Sequence, residues 1–135
     1  MVDAQGIPLA VMLTAANVND VTMLEATVDA IPPIRRPRGR PRRRPAKLHA
    51  DKGYEGAAKR RALRARGILP RIARRGVESR DRLGRHRWVV ERTLSWLNRK
   101  RRLKIRYERR ADVHLAFLVL GCALICWNFI QGGFC

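Results

Sequence analysis

The sequence predicts an α/β fold, and the central part of the chain provides the main observations. A short apolar run at residues 47–50 is followed by a basic helical segment at 55–66, which ends at Gly67 as many helices do. A second β-rich run follows at 68–73, where Pro70 favours an edge position. The order strand, helix, strand is typical of a parallel crossover unit. A chain of 135 residues suits one domain with a core, so we expect a single domain.

The residues before this unit predict a turn, a strand and a short helix. Residues 3–6 are turn formers, and 7–13 form a β-rich run that suits a buried strand. Capping residues at 17–20 precede apolar side chains at helical spacing over 21–31, and two prolines then stop that helix. We therefore expect a hairpin turn leading into a strand, and then a helix.

The strongest helical pattern lies in the C-terminal half. Over residues 87–102, Val90, Leu94 and Leu97 form an apolar stripe at helical spacing. A carboxylate, Glu91, lies on a neighbouring face of the same predicted helix. Its surroundings on that helix are basic and consist of Arg87, Arg92, Arg99, Arg101 and Arg102.

The last segment, residues 113–130, is almost wholly apolar and long enough that a membrane span must be considered. It contains His114, Asn128 and the helix-weakening Gly121, and it lacks polar flanks that would place its ends at an interface. These features favour a buried closing helix over a membrane anchor, and we expect no membrane partner.

The charge of the chain indicates a polyanionic partner. Thirty Lys and Arg against eleven Asp and Glu give a net charge of +19, with a pI near 11.7. DNA, RNA and an anionic membrane surface are the candidate partners. Nearly all the positive charge is Arg, which suits bidentate phosphate contacts and favours nucleic acid. The alternative is a GC-rich genome that supplies Arg where Lys would serve.

An Arg/Pro-rich stretch has the composition of an exposed loop. Residues 35–45 read RRPRGRPRRRP, with seven Arg, three Pro and one Gly. Such a segment cannot form a core, so we predict an extended, exposed loop at 35–46. Its function is either to clamp the DNA backbone or to act as a solvated linker. The candidate DNA-binding residues in it are Arg40, Arg42, Arg43 and Arg44.

The cysteines and the first residues favour a cytoplasmic location. Cys122, Cys126 and Cys135 form no zinc-type spacing, and their odd number argues against a disulfide framework. The stretch MVDAQGIPLA lacks the basic and apolar regions of a signal peptide. We therefore expect a reducing, cytoplasmic, nucleoid-associated protein.

Two acids combine a special position with basic surroundings. Asp51 ends the apolar run of LHADKGYEG, and Glu91 lies on the Arg-rich helix. Carboxylates that converge from separate elements can hold Mg²⁺, and two such ions can promote phosphodiester displacement. The alternatives are that Asp51 caps the following helix and that Glu91 forms a salt bridge with Arg87, four residues earlier.

Three stretches together resemble a known family. They are LHADKGYEG, RIARRG and GRHRWVVERTLSWLNRKRRLKIRYERR, the last followed by the apolar segment. In this order they resemble the C-terminal part of a DDE transposase of bacterial insertion sequences, of the insertion-sequence-five group, with a DDE domain like that of the insertion-sequence-four group. The resemblance covers essentially all 135 residues.

This resemblance implies an RNase H-like fold, a mixed sheet flanked by helices, as one partial catalytic domain over residues 1–135. It implies Asp51 as the second catalytic acid, Glu91 as the catalytic Glu and Arg87 as its motif partner, with Mg²⁺ bound by the acids. Water would attack at the transposon end, and the freed 3′-hydroxyl would attack target DNA. The active complex would be a homo-oligomer, and the DNA-binding residues on the helix would be Arg87, Arg92, Arg99 and Lys100.

The chain departs from the family pattern at three places. The motif of the related insertion-sequence-four group has Tyr and Lys where this chain has Gly84 and Asn98. Arg99 and Lys100 are candidates for the role of that lysine. The first catalytic Asp precedes the segment that matches VDAQGIPL, and Asp3 lies in a turn and does not replace it. We therefore expect a domain truncated at its N-terminus that binds DNA and is inactive alone. It is either a truncated reading frame or the downstream product of a transposase encoded in two overlapping frames, in which case an upstream product would supply the first Asp. A non-catalytic basic nucleic-acid-binding protein is the alternative.

Overall fold

The computed structural model describes residues 1–35, 37–74 and 80–132, with the backbone alone for residues 80–87. The chain forms two compact units: Met1–Ala15 together with Trp88–Cys135, and Ala16–Arg87. Helices and a small parallel sheet are both present, which confirms the α/β class. The expected single domain stays a prediction.

The unit Ala16–Arg87 contains the predicted strand, helix, strand order. A 3-10 turn at Asp20–Met23 leads into helix α1. The further elements are α1 (Leu24–Asp29), β1 (Lys47–Ala50), a 3-10 turn (Lys52–Tyr54), α2 (Ala57–Ala65) and β2 (Leu69–Ile72). Strands β1 and β2 pair in parallel, with Lys47 opposite Leu69 and Ala50 opposite Ile72. The parallel crossover predicted from the sequence is therefore confirmed.

The core of this unit forms where the helices cover the two strands. Its buried apolar side chains are Leu24, Val28, Ile31, Leu48, Leu63, Ile68, Ile72 and Ala73. Burial alternates along β2, where Pro70 and Ile72 are buried and their neighbours are exposed, as expected for a strand with one face on a core. Pro70 fits here because each strand of a two-stranded sheet is an edge strand.

An ion-pair cluster joins α1 to the end of α2. The Arg66 guanidinium makes two hydrogen bonds to the Asp29 carboxylate, at 2.8 and 3.0 Å, and one to Glu25 at 3.0 Å. The hydrogen bond from Arg66 holds the pKa of Asp29 below its usual range. Helix α2 ends at Ala65 with Arg66 as its C-cap, and Gly67 follows with a φ of +72°, the left-handed conformation common just after a helix.

The other unit begins with the predicted turn. Gly6 N–H donates to the Asp3 carbonyl at 3.2 Å, Asp3 N–H donates to the Ile7 carbonyl at 3.0 Å, and Val2 and Pro8 form an isolated antiparallel bridge. The predicted strand at 7–13 is wrong, because beyond that bridge the described residues place no paired strand there. The backbone pairing described for this segment is with Met1, Val2 and Asp3, and a strand needs a longer hydrogen-bonded neighbour.

Three further helices follow along the chain: α3 (Arg80–Asn98), α4 (Arg101–Lys104) and α5 (Ala111–Ile130). Helix α3 ends at Asn98 rather than at 102, and Arg99 and Lys100 separate it from α4. The predicted stripe is only partly buried. Leu97 is 7% exposed, whereas Val90 and Leu94 are 45% and 52% exposed.

Helix α5 confirms the predicted helix, but its predicted burial is wrong. Only Gly121 and Ile125 are buried, and Trp127 and Ile130 are 57% and 76% exposed. A helix of this length is about 30 Å long, and in the described part of its unit only one side of it is covered. By length and composition alone α5 could cross a membrane, a test that core helices of globular proteins also pass.

The close approach at Gly121 explains which part of α5 is covered. A Cβ atom at this position would lie 2.8 Å from Leu103 Cδ1 and 3.0 Å from Leu97 Cδ2. The absence of a side chain therefore lets α5 pack tightly against α4 and the end of α3. The glycine that weakens the helix locally is the residue that permits its main contact.

Two free thiols also lie on α5, at Cys122 and Cys126, and both are partly buried. Burial raises the pKa of the Cys122 thiol above its ordinary value. Cys135 lies outside the described residues.

Candidate active site and nucleic-acid surface

Asp51 lies at the carboxyl end of β1 and is exposed. Its Oδ1 accepts a hydrogen bond from the Lys52 N–H at 2.7 Å, and the residue is the N-cap of the 3-10 turn Lys52–Tyr54. The capping interpretation is therefore correct for this short turn and not for α2, which begins after Gly56. Oδ2 accepts no hydrogen bond from the described residues, so one carboxylate oxygen is available to a ligand.

The surroundings of Asp51 carry negative as well as positive charge. Tyr54 follows it in the 3-10 turn, and burial raises the pKa of the Tyr54 hydroxyl, with smaller contributions from the carboxylates of Asp20 and Asp51. Both acids therefore act electrostatically on one side chain at this end of β1. The sequence interpretation did not single out Asp20, because its position before the first helix gives no signal beyond that of a helix start.

Glu91 is exposed on α3 and belongs to the other compact unit. Arg87 lies one helical turn earlier in α3, but its side chain is outside the described residues, so the alternative of a salt bridge with Glu91 is not decided. Asp51 and Glu91 lie in different units, and the convergence of their carboxylates stays a prediction. Among the residues that the structure describes, no group of three His, Cys, Asp or Glu side chains is placed to hold a metal ion.

Arg92 makes contacts within its own unit. Its guanidinium carbon lies 4.3 Å from the centre of the Trp88 ring and 4.8 Å from that of Trp96. Its Nη2 donates to the Gln5 carbonyl at 2.5 Å, while its Nε is buried without a partner among the described residues. These contacts connect the N-terminal turn to α3, and the DNA contact expected of Arg92 stays a prediction.

The same turn is fixed by the neighbouring residue. Thr93 is 2% exposed, and its hydroxyl donates to the Gly6 carbonyl at 2.8 Å. Gly6 has a φ of +89°, and a Cβ atom there would lie 2.9 Å from Thr93 Oγ1. A side chain at position 6 would therefore both strain the backbone and displace the turn from α3.

The stacking of Arg92 on Trp88 and Trp96 was not predicted from the sequence, although the sequence contains a signal for it. Trp88, Arg92 and Trp96 recur at intervals of four residues, so their side chains lie along one face of a helix. An arginine between two aromatic residues at this spacing predicts a stacked guanidinium.

Exposed basic side chains remain at the end of α3. Arg99 and Lys100 are both exposed in the connection between α3 and α4. In contrast, Arg102 forms an ion pair of 2.6 Å with Glu108. Arg99 and Lys100 therefore remain the DNA-binding candidates at this position.

The described residues of the Arg/Pro-rich loop are exposed, as predicted, except for the partly buried Pro45, and backbone hydrogen bonds close the base of the loop. Ile34 and Arg42 exchange two backbone hydrogen bonds of 2.8 Å, which closes a hairpin around residues 37–41. Arg42 Nε donates to the Arg44 carbonyl at 2.7 Å, and Arg44 Nη1 donates to the Arg66 carbonyl at 3.3 Å. Arg36 lies outside the described residues. The loop is therefore attached at its base to the unit that carries Asp51.

The chain matches the family described as "Transposase DDE domain" over residues 1–129. It belongs to the DDE transposases. The chain is also 60% identical over 129 residues to a Burkholderia cepacia protein named "Putative transposase for insertion sequence element IS402". The alignment covers 96% of this chain and 61% of that protein, so the chain spans less than two thirds of its curated relative. No solved structure matches the chain.

Membership of the DDE transposase family confirms the resemblance identified from the sequence motifs. The family acts in DNA transposition, and its members in general have nuclease activity, DNA substrates and a divalent metal. The helices and parallel strands of this transposase chain are compatible with the RNase H-like fold.

Proposed function

We propose that this chain is the C-terminal part of an RNase H-like transposase domain that acts in DNA strand cleavage and strand transfer. The position of Asp51 is the observation that carries the proposal. It is an exposed carboxylate at the carboxyl end of a parallel strand, the edge of an α/β sheet where ligands commonly bind. The family match over residues 1–129 supports a catalytic interpretation of this position.

Asp51 and Glu91 are the Mg²⁺ ligands that we propose for this chain. Both carboxylates are exposed, and they offer the hard oxygen donors that Mg²⁺ prefers. When bound, the metal would activate the attacking oxygen and stabilise the leaving oxygen of the phosphodiester. They are two of three acids, since the resemblance implies a third that precedes the segment VDAQGIPL.

The basic side chains bind the DNA in this proposal. The group comprises Arg87, Arg99, Lys100, Arg40, Arg42, Arg43 and Arg44. Of these, the described side chains are exposed and suit contacts to backbone phosphates. The sequence also makes Arg92 a DNA-binding candidate, but we propose that it supports α3 instead, because its guanidinium is stacked between two indole rings. The DNA would be the transposon ends and the target, bound by a homo-oligomer at the nucleoid in the cytoplasm.

A polypeptide restricted to residues 1–135 carries two of the three acids that the resemblance implies. Mg²⁺ should bind weakly to two acids alone, so we expect such a polypeptide to bind DNA without cleaving it.

A titration with Mn²⁺ as the probe tests the assignment of the two acids. Asp51→Asn and Glu91→Gln should each weaken Mn²⁺ binding severalfold and leave salt-sensitive DNA affinity unchanged, since neither acid holds the DNA backbone. Asp112→Asn is the matched control. Asp112 is an exposed carboxylate on α5 that pairs with Arg110, so its replacement should not change Mn²⁺ binding.

Two results would contradict the proposal. Unchanged Mn²⁺ affinity in both acid variants would support the alternative of a non-catalytic, basic nucleic-acid-binding protein. Efficient Mg²⁺-dependent cleavage by the 135-residue polypeptide, abolished in Glu91→Gln, would show that its ligand set is sufficient.

A further inference from the structure

The tip of the Arg/Pro-rich loop has a symmetrical sequence. Residues 37–41 read Pro-Arg-Gly-Arg-Pro, and all five are exposed. The hydrogen bonds between Ile34 and Arg42 close the loop below them. Arg38 and Arg40 make no hydrogen bond or ion pair with the described residues, so both guanidinium groups are available to a partner.

Gly39 separates these two arginines. A Cβ atom at Gly39 would have no neighbour within 4 Å among the described residues, so packing does not require a glycine here. Its φ of +87° favours one for the backbone conformation. The absence of a side chain leaves bare backbone between two cations, which a partner surface can approach closely.

The two prolines reduce the entropy cost of binding. Pro37 and Pro41 each have a fixed φ and no backbone N–H. A segment with fewer accessible conformations loses less entropy when a partner orders it. The tip is therefore narrow, cationic and partly preorganised.

The minor groove of A·T-rich DNA fits this chemistry. This groove is about 6 Å wide, too narrow for a helix but wide enough for a single chain segment. A-tracts narrow it further and concentrate the negative potential that attracts Arg. Guanidinium is less strongly hydrated than ammonium and so enters a narrow groove at a lower desolvation cost. The 2-amino group of guanine obstructs the groove floor in G·C pairs.

We propose that residues 37–41 insert into the minor groove of A·T-rich DNA, with Arg38 and Arg40 along the groove on either side of Gly39. This inference rests on the proposed DNA binding and adds a preference of sequence. A loop that clamps phosphates alone would bind A·T-rich and G·C-rich duplexes equally. The broad, shallow minor groove of RNA duplexes fits the narrow tip less well.

Fluorescence anisotropy with three duplexes of equal length tests this groove assignment. One duplex is A·T-rich, one is G·C-rich, and the third replaces G·C by inosine·cytosine pairs. Inosine lacks the 2-amino group, so the third duplex has the minor-groove pattern of A·T and the major-groove pattern of G·C. The A·T-rich and inosine duplexes should bind similarly, and about tenfold more tightly than the G·C-rich duplex.

Variants that keep the charge separate groove insertion from phosphate binding. The double variant Arg38→Lys/Arg40→Lys should lose most of the tenfold preference while the salt dependence of binding is unchanged. The matched control is Arg61→Lys/Arg64→Lys on α2, where both residues are exposed, and it should keep the preference.

A second pair of variants tests the role of Gly39 in the A·T preference. Gly39→Ala should reduce the A·T preference, because the added methyl group meets the groove floor. Gly67→Ala tests the same kind of change elsewhere, since Gly67 also has a positive φ, of +72°, and no neighbour within 4 Å of a Cβ atom. This control should keep the preference, so a loss in both variants would contradict a role specific to Gly39.

The remaining outcomes are distinguishable. If the inosine duplex binds like the G·C-rich duplex, the loop does not read the minor groove and the inference is wrong. Equal binding to all three duplexes also overturns the inference but leaves the proposed DNA binding intact. Absence of binding to any duplex overturns both.

Discussion

Replacing Arg92 with glutamine removes the guanidinium that lies between Trp88 and Trp96 and donates to the Gln5 carbonyl. A hydrogen bond from a charged group contributes about 1.5–3 kcal/mol to stability. Each stacking contact with a partly exposed ring adds about 0.5–1 kcal/mol. The glutamine amide recovers part of this energy, and the substitution removes the buried Nε of Arg92, which has no partner among the described residues. We therefore expect Arg92→Gln to lower the free energy of unfolding by about 2–3 kcal/mol.

Urea unfolding followed by tryptophan fluorescence measures this loss, because two of the three tryptophans flank the guanidinium. Arg92→Lys should give an intermediate value, since lysine keeps the charge but not the planar guanidinium. Arg99→Gln is the control. Arg99 is exposed after the end of α3, so its replacement should change the free energy of unfolding by less than about 0.5 kcal/mol.

DNA affinity distinguishes support of α3 from a direct DNA contact. Under conditions where each variant is folded, Arg92→Gln should keep most of the affinity, whereas Arg99→Gln should reduce it and lower the salt dependence. The reasoning is refuted if Arg92→Gln leaves stability within about 0.5 kcal/mol of the original chain and weakens DNA binding as much as Arg99→Gln.

Two further predictions concern the unit that carries Asp51. Leu63→Ala should lower the free energy of unfolding, measured with a chemical denaturant, by about 2–5 kcal/mol, because Leu63 is fully buried. Leu69→Ala is the control and should lower it much less, since Leu69 is 44% exposed. Equal losses in the two variants would contradict the described core. Because Arg66 lowers the pKa of Asp29, the ion pair should stabilise the fold above the unfolded pKa of about 3.9 and lose this effect as the pH falls through the folded pKa. As the pH is lowered, the melting temperature should therefore fall less in Asp29→Asn than in the original chain. The exposed Asp20→Asn is the control, and a fall as small as that of Asp29→Asn would argue against a specific pair.

The parallel unit was the part of the fold that the sequence predicted best. Its signals are local: apolar runs of strand length, a helical segment between them, and a glycine where the helix ends. The observed bounds of β1, α2 and β2 lie within two residues of the predicted ones. The helix ends next to the predicted Gly67, which has a positive φ, because the end of a helix depends mainly on the local backbone.

The wrong predictions concern features that depend on distant residues. A β-rich run at 7–13 becomes a strand only if a neighbour pairs with it, and the described residues supply one short bridge. The stripe of Val90 and Leu94 suits a core-facing helix, yet the N-terminal turn contacts Thr93 and Arg92 on a different face. Periodicity identifies a helix with an apolar face, but the tertiary contacts decide which face is covered.

The two interpretations of Asp51 weighed from the sequence, a helix cap and a metal ligand, turn out to be compatible. The cap uses Oδ1, which accepts from the Lys52 N–H, while Oδ2 accepts nothing from the described residues. A hydrogen bond to one oxygen restricts the rotamer of the side chain and so fixes the direction of the other. Such preorganisation strengthens a metal site. The local capping role would therefore support the catalytic role proposed for this residue.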